Sequence, residues 1–221
     1  FKKNFEMPIM KKENEDAMAD LQKMIRPFIL RRLKKEVLSD LPDKIEKCVT
    51  IPLEGEQKKL YEAHVQRLKF MLENEEFANI RMQVLAELTR LRQLCCDPAL
   101  IYQDYQEGAA KMELCMELLN NAVNGGHKVL LFSQFTSMLG ILEKRMEEAG
   151  IGYYSLTGST PKKERMELME KFNRDATPVF CISLKAGGTG LNLTGADVAI
   201  HYEPWWNVAA ENQATDRAHR I

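Results

Sequence analysis

Long apolar runs and a leader-like opening are missing from this sequence of 221 residues. Its apolar runs, such as 129–132, are far shorter than the roughly 20 residues that a membrane-spanning helix needs. The residues that follow Phe1 also lack the basic and apolar pattern of a secretory signal. We therefore expect a soluble, intracellular chain with no membrane partner.

Cysteine is scarce and scattered along the chain. The five cysteines make an odd number, and their only close pair, Cys95 and Cys96, is adjacent in sequence. Disulfide frameworks and zinc sites use pairs of residues a few positions apart, and the cysteines and four histidines lack that spacing. We expect reduced, mostly buried thiols and no metal site.

Net charge is nearly absent, since 31 basic and 32 acidic side chains leave a formal charge of -1. Such a balance creates no overall field that would draw the chain toward nucleic acid or an anionic membrane. The charge is nevertheless sorted, because the basic stretch between Leu21 and Lys35 contains no acid. An anionic partner must therefore be recognised locally.

The first half of the chain, up to about Asn124, shows helical periodicity. An apolar stripe over 13–38 predicts a helix that Pro27 kinks or breaks near Arg26. Helices are also predicted over 54–72, 79–96 and 111–123, with a short extended segment over 47–51.

After the glycines at 125 and 126, short apolar strands alternate with helices. Strands are predicted over 127–133, 151–156, 178–184 and 198–202, and helices over 136–149, 161–173 and 208–220. This βα alternation is typical of a parallel sheet covered by helices on both faces, because each parallel connection crosses one face. The predicted fold class is therefore α/β.

Small, polar loops follow the first three predicted strands: Ser133-Gln134, Thr157-Gly158-Ser159-Thr160 and the run from Lys185 to Gly190. In a parallel sheet such loops share one edge, where backbone N–H groups and helix N-termini bind anions. Gly187, Gly188 and Gly190 allow close approach of a phosphate, and Lys185 adds a positive charge. Tight turns without a ligand are the alternative.

These glycines do not form a self-sufficient nucleotide site. A dinucleotide-binding fold places GxGxxG after its first strand, whereas here a GGxG run follows the third strand. No GxxxxGK[ST] motif occurs either. The pattern therefore disfavours a Rossmann cofactor enzyme.

The last predicted helix carries two arginines on one face, Arg217 and Arg220, with Gln213 one turn earlier. Two guanidinium groups so placed are either solvated or clamp a phosphate or carboxylate. The Trp205-Trp206 pair before this helix is either core packing, which we favour, or a ligand platform.

Five ordered motifs stand in the second half: KVLLFSQF at 128–135, LTGST at 156–160, SLKAGGTGLNLT at 183–194, HYEPWWN at 201–207 and QATDRAHRI at 213–221. The first half adds PFILRR at 27–32, LPDK at 41–44 and LRQLC at 91–95. Together they resemble the second RecA-like lobe, with its linker, of the SWI/SNF-type ATPases of helicase superfamily two.

The resemblance implies three regions in the chain. An inter-lobe linker and helical protrusion is implied over 1–53, and a helical insertion leading into the lobe over 54–110. The region 111–221 is implied to be the RecA-like helicase C-terminal lobe, a parallel sheet flanked by helices.

The resemblance also implies roles for single residues. Arginine fingers that reach the γ-phosphate of ATP are implied at Arg217 and Arg220. Further contacts to the nucleotide are implied at Gln213, Gly188, Gly190 and Asn192. Contacts to phosphates of a tracked DNA strand are implied at Ser133, Gln134, Thr157, Gly158, Lys185, Gly187 and Thr189, and coupling of hydrolysis to movement at Trp205.

The activity implied for the family is ATP-driven translocation along double-stranded DNA, with remodelling of nucleoprotein. ATP with Mg²⁺ would be bound mainly by the N-terminal RecA-like lobe of the same polypeptide, and DNA-bound proteins would be further partners. A bacterial protein of this kind would work in the cytoplasm or nucleoid, and a eukaryotic one in the nucleus.

Three departures from the family pattern matter. The Walker A and DExH motifs of the first lobe are missing, the last motif stops at Ile221 before its Gly-Gln, and Glu203 stands where Asp is commoner. We therefore expect a piece of a longer polypeptide that does not hydrolyse ATP alone. The alternative function is a non-catalytic module that binds nucleic acid or protein and retains the lobe fold.

Overall fold

A computed structural model describes residues 1–29, 45–184, 186 and 192–215. For five helix residues, Lys12, Val208, Ala210, Gln213 and Ala214, only the backbone is described. The chain forms two compact units, Phe1–Ile45 and Glu46–Ile221. The three regions expected from the family resemblance stay a prediction.

The described part of the first unit is helical. A π-helical turn (Lys2–Glu6) leads into α1 (Met7–Lys12), α2 (Glu15–Ile25) and a 3₁₀ turn (Arg26–Phe28). Asn14 caps α2, because its Oδ1 accepts a hydrogen bond from the Ala17 N–H at 2.9 Å. The break predicted near Arg26 is confirmed, since Pro27 cannot continue the α-helix. The rest of the helix predicted to residue 38 lies outside the described residues.

The short extended segment predicted over 47–51 forms no strand. These residues have no regular secondary structure, although apolar residues alternate loosely from Ile45 to Leu53. The preceding Ile45 is 94% exposed and Val49 is 52% exposed. The segment lies against no strand in the described part of the chain, so the alternation buries no face and forms no ladder.

The second unit begins with a helical hairpin made of α3 (Gly55–Asn74) and α4 (Phe77–Cys96). The buried positions of α4 follow a spacing of four and three residues: Ile80, Val84, Glu87, Leu91 and Leu94. This spacing keeps one stripe of the helix against its neighbours. A carboxylate therefore occupies the middle of an otherwise apolar stripe.

Glu87 is 2% exposed, and its charge is held by partners from two elements. His64 of α3 donates a short hydrogen bond to one carboxylate oxygen, and Arg90 donates to the other at 3.0 Å. The second ring nitrogen of His64 lies 2.8 Å from the Tyr102 hydroxyl. Burial alone would raise the pKa of Glu87, but the hydrogen bonds from His64 and Arg90 outweigh it and hold the pKa below its usual value.

After α5 (Ala110–Asn124), strands and helices alternate: β1 (Val129–Ser133), α6 (Thr136–Glu148), β2 (Tyr153–Leu156), α7 (Lys162–Arg174), β3 (Val179–Ser183), β4 (Val198–His201) and α8 (Val208–Thr215). The four strands form one parallel sheet in the order β2-β3-β1-β4. The predicted α/β class, with a parallel sheet flanked by helices, is confirmed.

Alternate residues of the strands supply two separate cores. Leu131 and Cys181 belong to the cluster formed with α5 and α6, whereas Leu130, Phe180 and Phe172 of α7 belong to the other. Each fully buried Leu or Phe side chain contributes about 1.5–3 kcal/mol to folding. Burial of both faces explains why the strands are apolar at successive positions.

Two glycines end helices in the left-handed conformation. Gly126 (φ +78°) follows α5 and Gly150 (φ +70°) follows α6. At each end the backbone makes the paired hydrogen bonds of a Schellman motif, such as Gly150 N–H to Glu147 and Ile151 N–H to Met146. These turns direct the chain from the two helices toward β1 and β2.

Among the described residues, no helix combines the length and apolarity that crossing a membrane requires. The five cysteines are free, and Cys96, Cys115 and Cys181 are buried.

We predict that Glu87→Ala destabilises the chain by about 2 kcal/mol, because buried His64 loses its charged acceptor. The control is Glu62→Ala, which removes an exposed carboxylate 4.0 Å from Lys58 and should change stability by less than about 0.5 kcal/mol. Urea unfolding followed by circular dichroism measures both, and equal losses would contradict the assignment.

The same site should depend on pH. Folding lowers the pKa of the Glu87 carboxyl, so this group stabilises the native state. The stabilisation is complete at pH values above the pKa of the unfolded chain, about 4.3, and it is lost as the pH falls through the lower pKa of the folded chain. The stability advantage of the natural chain over Glu87→Gln should therefore shrink as the pH is lowered from 6 to 3, measured by urea unfolding at each pH.

Candidate nucleic-acid interface

The carboxyl ends of the strands lie at one edge of the sheet. β1 pairs with β3 so that Ser133 lies beside Ser183, and β2 pairs with β3 so that Leu156 lies beside Ile182. Helices α6 and α7 begin within a few residues of β1 and β2. Their N-termini, with partial positive charge, therefore lie on the same side as the polar loops.

The first loop is fixed by a buried carboxylate. Glu203, which is 3% exposed, accepts hydrogen bonds on one oxygen from the Ser133 hydroxyl at 3.0 Å and from the Gln134 N–H at 2.5 Å. Ser133 also accepts from the Phe135 N–H at 3.1 Å and has no exposed surface. Gln134 is therefore the side chain of the predicted Ser133-Gln134 pair that reaches solvent.

Burial raises the pKa of Glu203 above that of an ordinary glutamate, although the Gln134 and Ser133 donors counteract the shift. The other carboxylate oxygen has no hydrogen-bond partner within the part of the chain that the structure describes. Glu203 thus fixes the end of β1 to the segment after β4 through a single oxygen.

The second loop, from Thr157 to Thr160, is held by Arg165 of α7. The guanidinium donates to the backbone carbonyls of Thr160 at 2.8 Å, Thr157 at 3.1 Å and Gly158 at 3.2 Å. Inside the loop, the Thr157 N–H donates to the Thr160 hydroxyl at 3.1 Å. The Thr160 N–H also donates to the Thr157 carbonyl at 3.3 Å, and the Thr157 and Ser159 hydroxyls lie 2.8 Å apart. With the carbonyls occupied from one side, the exposed Gly158 and Ser159 N–H groups are the donors that an anion can use.

The Asn173 side chain holds the backbone of Asn192. Its carbonyl accepts a hydrogen bond from the Asn173 side chain at 3.0 Å, and the same side chain accepts from the Gly195 N–H at 3.1 Å. A Cβ at Gly195 would lie 3.2 Å from the Asn173 Cα, so the close approach needs glycine. Asn173 therefore fixes the chain just after the glycine-rich run.

The tryptophan pair separates into one partly buried and one exposed ring. Trp205 packs against the core cluster that contains Leu130, and its backbone N–H donates to the Glu211 carboxylate of α8 at 3.2 Å. Trp206 is 71% exposed. Core packing is therefore correct for Trp205 and wrong for Trp206.

Arg92 of α4 lies in the LRQLC motif at 91–95, although that motif predicted no role for it at this edge. Its guanidinium donates to the Gln134 side-chain carbonyl at 3.0 Å and to the backbone carbonyl of Pro204 at 2.7 Å. It also lies 4.8 Å from the centre of the Trp206 ring. Only the separation of 42 residues between Arg92 and Gln134 hides this contact from sequence reasoning.

The remaining predicted site residues lie outside the described residues: Lys185, Gly187, Gly188, Thr189, Gly190, Arg217 and Arg220. Gln213 lies on α8 with only its backbone described. Thr215, at the described end of α8, lies 2.7 Å from the His201 ring nitrogen of β4 through its hydroxyl. The roles implied for all of these residues, and for those described above, stay predictions.

No group of three or more His, Cys, Asp or Glu side chains that could hold a metal ion occurs within the described ranges. Of the residues expected to reach a nucleotide, only Asn192 has a described side chain, so the described edge offers no ATP geometry. What it does offer is a row of neutral hydrogen-bond donors and helix N-termini, which suits phosphate diesters.

Two family models match successive parts of the chain. The SNF2-related domain matches residues 1–100, and the Helicase conserved C-terminal domain matches residues 110–221. The chain belongs to the SNF2 family of helicases. The predicted family is therefore confirmed.

The relatives of this SNF2 chain include bacterial and eukaryotic proteins. The protein YwqA of Bacillus subtilis is 41% identical over all of the chain, and an uncharacterized ATP-dependent helicase of Mycoplasma pneumoniae is 38% identical. The nuclear protein STH1/NPS1 of Saccharomyces cerevisiae is 36% identical over 91% of the chain. The chain spans 25%, 21% and 16% of the lengths of these relatives.

Solved structures match as well. The SWI2/SNF2 ATPase core of Sulfolobus solfataricus aligns over the whole chain with a TM-score of 0.71 and 34% identity, and the chain covers 47% of it. The same core in complex with double-stranded DNA aligns with a TM-score of 0.70 and 35% identity. These matches agree with the RecA-like sheet of the second unit.

We predict that Arg165→Ala loosens the 157–160 loop of this SNF2 chain, because three backbone carbonyls lose their donor. Amide exchange in a peptide that covers the loop should accelerate about tenfold, which corresponds to about 1.4 kcal/mol. Arg174→Ala, at the exposed far end of α7, is the matched control. Hydrogen exchange with mass spectrometry measures both, and an unchanged loop in Arg165→Ala would refute the clamp.

Proposed function

We infer that this chain is the C-terminal motor lobe of an ATP-dependent translocase or remodeller that acts on double-stranded DNA. The observation that carries the proposal is the placement of Gln134 and the Thr157–Thr160 loop at one edge of a parallel sheet, both held with donor groups available. Contacts of this kind to phosphate oxygens are independent of base sequence, as tracking along DNA requires.

The relatives support the ATP-dependent part of the proposal. The Mycoplasma pneumoniae relative carries the name ATP-dependent helicase, and a Schizosaccharomyces pombe relative, 35% identical, is a SWI/SNF chromatin-remodeling complex subunit. The Sulfolobus core that aligns with the whole chain was solved with double-stranded DNA. From these names we propose ATP use and DNA binding for the protein to which the chain belongs.

In the proposed mechanism, this lobe supplies half of a composite site. ATP with Mg²⁺ is bound mainly by an N-terminal RecA-like lobe of the same polypeptide, and Arg217 and Arg220 reach its γ-phosphate when the lobes close. Gln213, Gly188, Gly190 and Asn192 complete the nucleotide side, while Trp205 couples closure to movement. The 221-residue chain alone is then inactive toward ATP.

The partners in this proposal are double-stranded DNA, the first lobe and proteins bound to the DNA. The site of action is inside the cell, in the bacterial cytoplasm or nucleoid or in a eukaryotic nucleus. No membrane takes part.

The arginine-finger role predicts a specific loss of hydrolysis. In the polypeptide that joins this chain to a first lobe, Arg217→Ala should lower DNA-stimulated ATP hydrolysis by about 10³-fold or more, because charge on the transferring phosphoryl group loses its partner. DNA affinity should stay within about twofold, since the proposed partner of the guanidinium is the nucleotide and not the DNA. Steady-state ATPase and fluorescence anisotropy measure the two quantities.

Arg81→Ala, an exposed arginine of α4, is the control for this experiment. Near-normal hydrolysis in Arg217→Ala would sink the arginine-finger assignment. If DNA affinity falls as well, Arg217 would be assigned to DNA binding instead of to the nucleotide.

The phosphate contact predicted at Lys185 should appear in the salt dependence of DNA binding. Lys185→Ala should weaken binding to duplex DNA and reduce the slope of log K against log salt concentration by about one, because one fewer counterion is released. Lys144→Ala, exposed near the far end of α6, should leave the slope unchanged. Anisotropy titrations from 50 to 200 mM salt give the slopes, and identical slopes for the Lys185 variant and the natural chain would exclude the contact.

A further inference from the structure

Arg92 joins three parts of the molecule that are distant in sequence. It lies on α4, within the residues matched by the SNF2-related domain, whereas Gln134 and Pro204 lie within the helicase C-terminal match. All three belong to the same compact unit. The two hydrogen bonds span 42 and 112 residues of sequence, so they hold the end of β1 and the segment after β4 to one side chain.

The chemistry of the pair Arg92 and Gln134 is directional. A guanidinium carries five N–H donors and no acceptor, whereas a glutamine amide has a carbonyl acceptor at one end and an NH₂ donor at the other. Arg92 can therefore bind only the carbonyl end of Gln134, as it does at 3.0 Å. The NH₂ end of the amide is then the one left for another partner.

The main chain of Gln134 is fixed from the other side by an acceptor. The Glu203 carboxylate takes the Gln134 N–H at 2.5 Å, and a carboxylate can hold only a donor there. Glu203 thus holds the backbone of Gln134, and Arg92 holds its side chain in one orientation. This double restraint reduces the rotamer entropy that Gln134 would lose when it binds a ligand.

The contacts of Arg92 depend on the planar shape of its guanidinium group as well as on its charge. Its guanidinium carbon lies 5.9 Å from the centre of the Phe135 ring and 4.8 Å from that of Trp206, while the group donates to two carbonyls at once. A lysine ammonium would keep the charge but lacks the fork that reaches both carbonyls and the flat face that stacks on a ring. Charge and geometry can therefore be separated by substitution.

We propose that Arg92 is a positioning residue that turns the Gln134 amide so that its NH₂ group, and not its carbonyl, faces a phosphate oxygen of bound nucleic acid. The reverse orientation would place a carbonyl against an anion, which repels it. The proposal deepens the function inferred above and rests on it, since it requires Gln134 to meet phosphate. Arg92 itself makes no contact with the ligand.

The test compares duplex DNA binding by the natural chain and its variants in low-salt anisotropy titrations. Arg92→Lys should weaken binding about tenfold and Arg92→Ala by at least as much, because each loses the paired hydrogen bonds. Arg81→Lys, exposed on the same helix, is the matched control and should bind normally. If Arg92→Lys binds as tightly as the natural chain, charge rather than orientation suffices and the proposal fails.

A double-mutant cycle distinguishes positioning from a general structural effect. In a Gln134→Ala background, Arg92→Lys should cause less than a twofold further loss, because the group that it positions is gone. Losses that multiply in full would show that Arg92 acts independently of Gln134, which would overturn the proposal.

Tryptophan fluorescence provides a readout that needs no DNA. Trp205 and Trp206 are the only tryptophans of the chain, and Arg92 lies over the Trp206 ring. Both Arg92 variants should shift the emission spectrum, whereas Arg81→Lys should not, and an unchanged spectrum would contradict the geometry. If the Arg92 variants show the fluorescence shift but the natural chain does not bind duplex DNA, the proposed function fails while the contact itself stands.

Discussion

β1 pairs in parallel with β3 on one side and with β4 on the other, so the chain must leave all of these strands at the same edge of the sheet. The pairing continues past the strands, where the Leu184 N–H donates to Ser133 and the Tyr202 N–H donates to Phe132. Because β1 is buried on both faces, a slip in register would move apolar side chains between the two cores. The position of every polar loop therefore follows from the packing of β1.

At this edge, charged side chains prepare neutral groups for a ligand. Arg165 occupies three backbone carbonyls of the 157–160 loop, and Arg92 occupies the carbonyl of Gln134. Both arginines remove acceptors from the surface and leave donors. Glu203 has the opposite effect, since it accepts hydrogen bonds from the Ser133 hydroxyl and the Gln134 N–H and so removes donors from the surface. Its burial raises its pKa. The two arginines therefore leave an edge whose free groups favour anions, although the chain as a whole has almost no net charge.

Patterns in the sequence predicted the sheet because strand and helix periods are local properties. They also predicted which loops share an edge, since parallel strands leave no other arrangement. They failed where the outcome depends on distant partners: the residues 47–51 form no strand in the described part of the chain, and Trp206 follows a partly buried ring yet is exposed. The contacts of Arg92 could not be predicted from its motif, because its partners come from two distant loops and a single arginine on a helix is most often solvated.

The end of α4 must itself be fixed if Arg92 is to restrain anything. The Tyr202 hydroxyl, directly after β4, donates to the carbonyl of Cys96 at 2.9 Å, and Gln57 of α3 donates to the carbonyl of Leu94 at 2.8 Å. These bonds satisfy carbonyls of the last helical turn that have no partner within α4. The Tyr202 bond connects the end of α4 to the segment after β4, and the Gln57 bond holds α4 to α3, both within about one turn after Arg92. The hairpin is therefore part of the edge that it helps to organise. A change that frees the last turn of α4 would therefore reach Gln134 through Arg92 without touching either residue.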